Sequence, residues 1–370
     1  LTFGNPAEAA ALGLVARWLL ATRDGDMVGG DFPGWLVELV GRMRTLGLTD
    51  RRGECIHAAC PHYTRCFIER TVRRARRAEI VVANHALVMM QAALGGLDDD
   101  TQPTRYVFDE GHHLFEAADG AFAAHLCGFE AAELRRWLLG AEGDGMRSRA
   151  RGLKRRAEDV VGHSETAVLA LDQAMQAAKV LPGPSWQHRL CETKGESHGA
   201  CEDFLALVRD QVLARAQDPD SPYSLEAETE PLLPGLLEAA AHLERAFHKL
   251  ADPLKVLATS LHDLLADEAA ELDTAIRQRI ESICRGIERR ALLPLTAWRA
   301  MLDSLIGSEP DARTVDWFQI ERQDGRAVDI SFHRHWRDPT LPFVRAVVEP
   351  AHGLLITSAT LRDGSGDGEA

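Results

Sequence analysis

Hydrophobic positions divide the chain into zones of different spacing. Up to residue 77, short apolar stretches of helical spacing are interrupted by glycine and proline. Between residues 78 and 125, the apolar runs Ile80–Ala83 and Tyr106–Phe108 are each followed at once by polar residues. Short uninterrupted runs of this kind favour buried parallel strands whose functional groups lie at the carboxyl edge of a sheet. The pattern therefore predicts an α/β segment with its chemistry at the strand ends.

The stretch from 126 to 312 is predicted to be almost wholly helical, because its apolar residues recur every three or four positions. The predicted helices include Glu130–Leu139, Glu165–Lys179, Leu233–Leu250 and Leu254–Arg290.

After residue 312 the spacing of the hydrophobic positions changes from helical to strand-like. Val315–Ile320 and Ala327–Phe332 flank a turn at Gln323–Gly325, which predicts a β-hairpin, and Leu354–Ser358 predicts another buried strand. A helical block between α/β strands is the pattern of an insertion domain.

Composition and charge narrow the class of protein. A chain of 370 residues, 45% hydrophobic and 26% charged, suits a soluble globular protein of two or three domains. The net charge of −14 argues against a protein that is basic all over, yet ten arginines and only three acidic residues lie between Arg42 and Arg77. This local excess of +7 predicts a confined phosphate-binding surface, with a solvated helix face as the alternative.

The ends and the hydropathy of the chain bear on its location. No run of about 18 apolar residues predicts a membrane span, and the start at Leu1 lacks the features of a secretory signal. We therefore expect a cytoplasmic protein. Because the first residue is not Met, we also expect the chain to begin within a larger protein.

Seven cysteines are unevenly distributed, and Cys55, Cys60 and Cys66 lie within twelve residues. Without an export signal a disulfide framework is not expected. Three close thiolates suit an iron–sulfur cluster or zinc, and either usually needs a fourth ligand. His57 and His62 lie in the same span and keep the zinc interpretation open.

The other cysteines are interpreted differently. His188, Cys191, His198 and Cys201 could form a second metal site, but their segment reads as a loop, which argues against one. Cys127 and Cys284 lie in apolar or helical contexts and are predicted to be small core residues.

A candidate nucleotide box follows the apolar run that ends at Phe108. Asp109 can hold the Mg²⁺ of a nucleotide, Glu110 can polarise the attacking water, and Gly111 permits a tight turn. His112 can couple the phosphate site to other parts of the molecule. The alternative is an ordinary acidic pair on the surface after a strand.

A second motif, Ser358–Thr360, also follows a predicted strand and resembles motif III of helicases. The resemblance implies hydroxyl contacts from this motif to the box that link hydrolysis to movement. The 370 residues contain no Gly-x-x-x-x-Gly-Lys-Ser/Thr loop. We therefore expect only part of an ATPase site here.

Arginines follow the cysteine cluster at helical spacing. Arg70, Arg73, Arg74 and Arg77 recur at i, i+3, i+4 and i+7, and Arg76 widens the face. Guanidinium groups at this pitch can follow a phosphate backbone without reading sequence. A merely solvated helix would mix in acidic partners, but only Glu69 and Glu79 flank these arginines. Asn84 and His85 end a predicted strand, where they either line the same surface or cap a helix.

These motifs follow one another in a fixed order. Gly53–Phe67, the arginine-rich helix, Ile80–Leu87, Val107–His112 and Thr357–Leu361 together resemble the DinG branch of the XPD-like superfamily 2 DNA helicases. The resemblance implies an α/β fold: a partial RecA-like P-loop NTPase motor lobe with an iron–sulfur insertion and a large, mainly α-helical arch insertion. The implied domains are an iron–sulfur domain (1–77), part of motor lobe 1 (78–125), the arch (126–312), and a hairpin returning to lobe 1 (313–370).

The resemblance also implies cofactors and partners. A [4Fe–4S] cluster would be held by Cys55, Cys60 and Cys66, with the remaining cysteine expected just before Leu1. ATP and Mg²⁺ would drive 5′ to 3′ translocation on single-stranded DNA and the unwinding of forked or structured DNA in repair or replication. The protein would act as a monomer, with single-strand-binding protein and replication proteins as candidate partners.

The implied residue roles are magnesium binding by Asp109, water activation by Glu110, coupling by His112, Ser358 and Thr360, and DNA binding by the arginines. A zinc-bearing DNA-binding module without enzymatic activity, and a degenerate helicase paralogue that only binds partners, are the competing hypotheses.

Overall fold

The computed structural model describes residues 6–27, 30–36, 62–95, 103–140, 142, 152–162, 164–192, 197–267, 272–307, 311–323 and 325–359. Within these residues the fold is mixed α/β, mostly helical, with two small sheets. The chain divides into two compact units, Leu1–Val81 with Leu272–Ser282, and Val82–Glu271 with Ile283–Ala370. No described helix combines the length and apolar character needed to cross a bilayer.

The helices are α1 (Pro6–Ala21), α2 (Phe67–Arg77), α3 (His85–Ala93), α4 (Leu114–Phe122), α5 (Gly128–Leu139), α6 (Leu153–Val161), α7 (Glu165–Ala177), α8 (Ala200–Arg215), α9 (Leu236–Ala266), α10 (Thr274–Ile287), α11 (Leu293–Ile306) and α12 (Thr340–Phe343). The strands are β1 (Arg105–Phe108), β2 (Ala124–Cys127), β3 (Leu225–Glu228), β4 (Thr314–Gln323), β5 (Arg326–Trp336) and β6 (Gly353–Ile356). Short 3₁₀ turns cover Tyr63–Arg65, Gly111–His113 and Ala178–Val180, and π-helical turns cover His188–Glu192, Glu288–Leu292 and Val344–Val348.

The first unit has a small core around α1. Val15 and Leu36 are buried there, and Trp18 packs edge-on against Phe32 with ring centroids 4.7 Å apart. The indole Nε1 of Trp18 also donates to Asp31 Oδ1 over 2.8 Å. In contrast, α2 has no buried residue, so its side chains are presented to solvent.

In the second unit, β1 and β6 form a parallel pair in which Phe108 lies opposite Ile356. Phe108 is buried in a core with Met89 from α3 and Leu114 from α4. The alternate strand positions face outwards, and Val107 is 73% exposed. The strand predicted at Leu354–Ser358 is confirmed as β6, although one side of it is open rather than buried.

The larger sheet is antiparallel with strand order β2-β5-β4-β3. The predicted hairpin is confirmed as β4 and β5, and Gly325 adopts a φ of +77° at the turn, a conformation that glycine adopts without strain. Phe318 and Phe332 lie opposite each other in the hairpin and contact Phe204 of α8 on the same face. The hairpin therefore provides a sheet on which the helix α8 packs.

The described residues of the stretch predicted to be helical are mostly helical, but they include the strand β3 (Leu225–Glu228), which was not predicted, and two predicted helix boundaries are wrong. The predicted end at Leu250 is wrong, because α9 runs through Pro253. A proline inside a helix costs about 3 kcal/mol, and burial of flanking leucines such as Leu250 and Leu254, worth about 1.5–3 kcal/mol each, offsets that cost. The predicted Leu254–Arg290 helix is also wrong: α9 ends at Ala266, and a new helix begins where Asp273 Oδ1 accepts from the backbone N–H of Ile276.

The strand predicted at Ile80–Ala83 is wrong as well. These residues form neither helix nor strand, Ile80 lies in a bend, and the side chains of Ile80 and Val82 are 83% and 94% exposed. A strand needs a neighbour for its backbone groups, and no described strand lies beside this run. Asn84 takes the capping alternative, since its Oδ1 accepts from Leu87 N over 2.8 Å at the start of α3.

Candidate functional site

The two motifs predicted to carry nucleotide chemistry leave the small sheet at the same edge. Because β1 and β6 run parallel, the residues after Phe108 and after Ile356 emerge side by side. The backbone N–H of Thr357 donates to Phe108 O, and that of Gly111 donates to Thr357 O, each over 2.8 Å. These bonds extend the pairing one step beyond the strands and fix the two polar segments against each other.

The carboxylate of Asp109 is held by the opposite segment. Thr357 Oγ1 donates to Asp109 Oδ1 over 2.9 Å, and the backbone N–H of Glu110 donates to the same oxygen over 3.0 Å. The Asp109 side chain is exposed. Since both bonds fall on Oδ1, the second oxygen is left for a ligand from solution, and a carboxylate oxygen in this position suits Mg²⁺.

Glu110 has an unusual backbone. Its φ of +52° and ψ of +51° place it in the left-handed region, which costs a residue other than glycine roughly 1–2 kcal/mol. The tight turn was predicted at Gly111, but the left-handed residue is Glu110, and Gly111 is buried beneath the turn instead. Strain of this kind clusters at functional sites, and here it falls on the carboxylate predicted to activate water.

His112 belongs to the first motif and contacts the second. Its Nδ1 is 2.9 Å from Ser358 Oγ and 3.4 Å from Glu110 Oε2. The structure thus brings together four of the five residues predicted for the nucleotide chemistry, and the fifth, Thr360, lies outside the described residues.

Thr357 is a site residue that sequence reasoning missed. It entered only as part of the motif, whereas its hydroxyl is the group that contacts Asp109. The available signal was its place directly after a strand that pairs with β1, but the register of that pairing cannot be read from the sequence.

The predicted arginine face exists on α2, and all five arginines are exposed. Arg73 and Arg70 have contacts within the first unit. Arg73 Nε is 2.6 Å from Glu69 Oε1, the i,i+4 pairing that the solvated-helix alternative expects. Arg70 donates to the Arg23 carbonyl over 3.0 Å. The face therefore combines Arg70 and Arg73, which are held by these contacts, with Arg74 and Arg77, which are exposed.

A groove runs beside this face, with a cavity volume of about 460 Å³. It is lined by Tyr63, Thr64, Glu69, Arg70, Arg73, Arg74, Arg77 and Ala78. The guanidinium of Arg73 also lies 4.6 Å from the centroid of the Tyr63 ring. A groove with several cations and an aromatic wall suits an extended polyanion better than a compact ligand.

The described residues test the predicted metal sites only in part. Cys66 is a free, half-buried thiol directly before α2, whereas Cys55 and Cys60 lie outside the described residues. The alternative motif His188, Cys191, His198 and Cys201 supplies no group of three converging donors in the described chain. Burial raises the pKa of Cys191 to about 12 and raises that of Cys201 further, which makes both poor ligands.

Cys127 and Cys284 behave differently from each other. Cys284 is buried, as a core residue should be. Cys127 is only half-buried and begins α5, where its Sγ accepts from Glu130 N over 3.3 Å.

Sequence reasoning also missed a cluster of histidines on the larger sheet. His125, His333 and His335 each place a nitrogen within 4.8 Å of the other two, in the one convergent group of three donors that the described part of the chain contains. The sequence signal was the alternation of His333 and His335 directly after the predicted strand Ala327–Phe332, which extends to Trp336 as β5. Their partner, His125, lies more than 200 residues earlier.

Comparison with known proteins adds a partial similarity. No family model matches the chain. Over 109 residues, 29% of the chain, it is 34% identical to the ATP-dependent DNA helicase DinG of Photobacterium profundum. Over 74 and 76 residues, 20% of the chain, it is 38% identical to the proteins of the same name from Shigella flexneri and Escherichia coli (strain K12).

The matched segments cover 15%, 10% and 10% of these three curated relatives, so the similarity concerns only a small part of each. It supports a relationship with DinG-type helicases at the level of the family.

Proposed function

We propose that this chain is part of an ATP-dependent DNA helicase of the DinG type, with half of its nucleotide site at the edge formed by β1 and β6. The observation that carries the proposal is the pair of contacts between the two motifs, Thr357 to Asp109 and His112 to Ser358. The partial similarity to DinG helicases supports the same function. On this proposal β1 and β6 are two strands of a RecA-like motor lobe.

Each residue at this edge would then have a distinct task. Magnesium-bound ATP supplies the phosphoanhydride bond whose hydrolysis releases energy. Asp109 would hold the metal through the oxygen that Thr357 leaves unbonded. Glu110, fixed by its left-handed backbone, would orient the attacking water and accept its proton.

His112 and Ser358, with Thr360 beyond them, would pass a change at the phosphate to the segment after β6. Their 2.9 Å contact joins the two motifs, so it is sensitive to any displacement of Glu110. A second part of the site, including the phosphate loop, would come from other segments of the whole protein.

The α2 helix would hold single-stranded DNA. Arg74 and Arg77 are exposed in the groove wall and would contact successive phosphates, while Tyr63 offers a ring for stacking. Arg70 and Arg73 are held by Arg23 and Glu69, so their guanidinium groups are fixed in place beside the path of the strand.

A [4Fe–4S] cluster would be bound by Cys55, Cys60 and Cys66 together with a further cysteine. Cys66 fits this role because its thiol is free, half-buried and adjacent to the basic helix. The cluster would fix the start of α2. By the same resemblance the motor would translocate 5′ to 3′ and serve DNA repair or replication.

The first test addresses Glu110 in the full-length protein. Glu110→Gln should lower DNA-stimulated ATP hydrolysis by about 100-fold or more while nucleotide binding persists, because the amide cannot accept the proton of the attacking water. Glu116→Gln, a nearby exposed residue of α4, is the control and should leave turnover intact. Unchanged hydrolysis in the Glu110 variant would refute the role of this carboxylate and favour a paralogue that binds without turnover.

The second test addresses DNA. In the full-length protein, Arg74→Ala with Arg77→Ala should weaken single-strand binding and reduce the salt dependence of log K by about 0.7 for each phosphate that is no longer neutralised. Arg155→Ala, an exposed arginine on α6, is the matched control. An unaltered salt slope in the double variant would make α2 a solvated surface.

The third test addresses the cysteines. Anaerobically purified full-length protein should contain iron and show the broad visible absorption of a cluster, and both should be lost in Cys66→Ser. Protein with zinc bound to the cysteines and no such absorption would instead support a zinc-bearing module.

A further inference from the structure

The larger sheet brings three histidines together by its register. His125 of β2 lies directly opposite His333 of β5, and His335 follows two residues along the same strand. Because side chains alternate along a strand, all three rings lie on one face. The ring centroids of His125 are 4.6 Å from His333 and 5.3 Å from His335.

One ring nitrogen has its proton fixed by a carboxylate. His335 Nδ1 is 2.8 Å from Asp119 Oδ2, and in the tautomer in which Nδ1 donates to this oxygen the lone pair lies on Nε2. That Nε2 is 3.1 Å from His125 Nε2. A carboxylate that orients a histidine in this way is the usual outer partner of a metal-binding imidazole.

A second nitrogen in the cluster is buried without a partner. His333 Nδ1 makes no hydrogen bond to any described residue, although Nε2 of the same ring is 2.7 Å from Ser331 Oγ. Burying a polar atom without a partner costs roughly 1–3 kcal/mol. A ligand at the cluster would offset this cost.

The surroundings also suit a bound ion. Trp317 lies opposite His333 on β4 and stacks on its ring at 4.9 Å with an interplanar angle of 7°. This indole forms an apolar wall beside the imidazoles.

We propose that His125, His333 and His335 bind a zinc ion, with Asp119 as the carboxylate that positions His335. Imidazole ligands suit zinc, copper and nickel, and zinc imposes no geometry of its own. A tetrahedral ion about 2.0–2.1 Å from each nitrogen requires nitrogens roughly 3.3 Å apart. The 3.1 Å pair already satisfies this, and the most distant pair must shorten by at most about 1.5 Å, within reach of ring rotations.

Zinc at this position would connect three elements of the second unit. Its ligands come from β2 and β5, and Asp119 comes from α4, the helix that begins directly after the turn containing Glu110. The site is separate from the cysteines, and the proposal does not depend on the helicase function.

The test uses the full chain and a coloured substitute for zinc. After metal removal, titration with Co²⁺ should give, beside any cysteine-bound cobalt with its near-ultraviolet thiolate bands, one further ion per chain that shows the visible bands of tetrahedral cobalt and no thiolate band. His333→Ala and His125→Ala should each abolish the thiolate-free species. Asp119→Asn should weaken zinc binding by about 10- to 100-fold, since it disturbs only the outer partner.

His248→Ala is the matched control, because His248 is an exposed histidine whose Nε2 is paired with Asp252 in α9. It should keep full metal content. The wild-type spectrum stands by itself if a histidine variant fails to fold, which circular dichroism would reveal. Absence of a thiolate-free cobalt species in the wild-type protein, or its persistence in folded His333→Ala, would overturn the proposal.

Discussion

Asp329 offers a quantitative test of the structure. This residue of β5 is only 6% exposed, and its two oxygens accept from the backbone N–H groups of Ile330, over 2.8 Å, and Phe129, over 3.2 Å. Burial is the largest influence on the carboxyl and raises its pKa from 3.8 to about 6, against the lowering effect of the hydrogen bond from Cys127.

The sign of the effect on stability follows from proton binding. Between about pH 4 and pH 6 the native state holds a proton that the unfolded chain has released, so the free energy of unfolding falls as the pH rises through this window. A shift from 3.8 to about 6 corresponds to roughly 3 kcal/mol at 1.36 kcal/mol per pH unit. Nearly the full cost applies at pH 7, and it vanishes below about pH 3, where the carboxyl is protonated in both states.

The assay compares the chain with its Asp329→Asn variant by urea unfolding between pH 4 and pH 7. The amide loses one acceptor, so the variant carries a constant penalty, but its side chain does not titrate. The free energy of unfolding of the wild type minus that of the variant should therefore fall by roughly 3 kcal/mol across the range. Asp220→Asn, at an exposed aspartate, controls for effects of the substitution itself. If the difference between wild type and Asp329→Asn stays constant with pH, the carboxyl is not buried as described.

Two further predictions concern packing. Phe204→Ala, which removes a fully buried ring, should lower the free energy of unfolding by about 3–5 kcal/mol in chemical denaturation, whereas Phe129→Ala, at a ring that is 51% exposed, should cost far less. Gly128→Ala should lower the melting temperature, because its new Cβ would lie 2.3 Å from Cζ3 of Trp186, and overpacking of this kind costs about 1–3 kcal/mol. Gly120→Ala in α4 meets no atom within 4 Å and should be neutral or stabilising, so equal melting temperatures for the two glycine variants would contradict the packing described here.

How far the sequence predicts this structure depends on whether the signal is local. The hairpin is predictable because a turn with glycine at position 325 separates two runs of strand-forming residues. The helix α7 is predictable from its spacing and from Ser164, whose Oγ accepts from the Ala167 N–H. The strand prediction for Ile80–Ala83 is wrong because an apolar run indicates burial or pairing without showing that a partner strand is present.

The candidate site divides in the same way. Asp109 and Glu110 can be identified from their place after an apolar run. The contact of Thr357 with Asp109 depends on the register between strands 248 residues apart, which no local pattern encodes. The histidine cluster could not be predicted from the sequence for the same reason, since the pairing of His125 with His333 depends on the register of the sheet.

The helix α4 lies between the candidate nucleotide edge and the larger sheet and contacts both. The helix begins directly after the turn that holds Glu110 and ends at Phe122, just before the strand that carries His125. Its Asp119 contacts His335 on the far strand, and its Leu114 packs in the core with Phe108. A displacement of the turn at Glu110 would move α4 as a body, because a helix transmits motion along its axis better than a loop does. That motion would reach the larger sheet through the contact of Asp119 with His335, so the carboxylate that positions the proposed metal ligand would also connect the candidate nucleotide edge with the larger sheet.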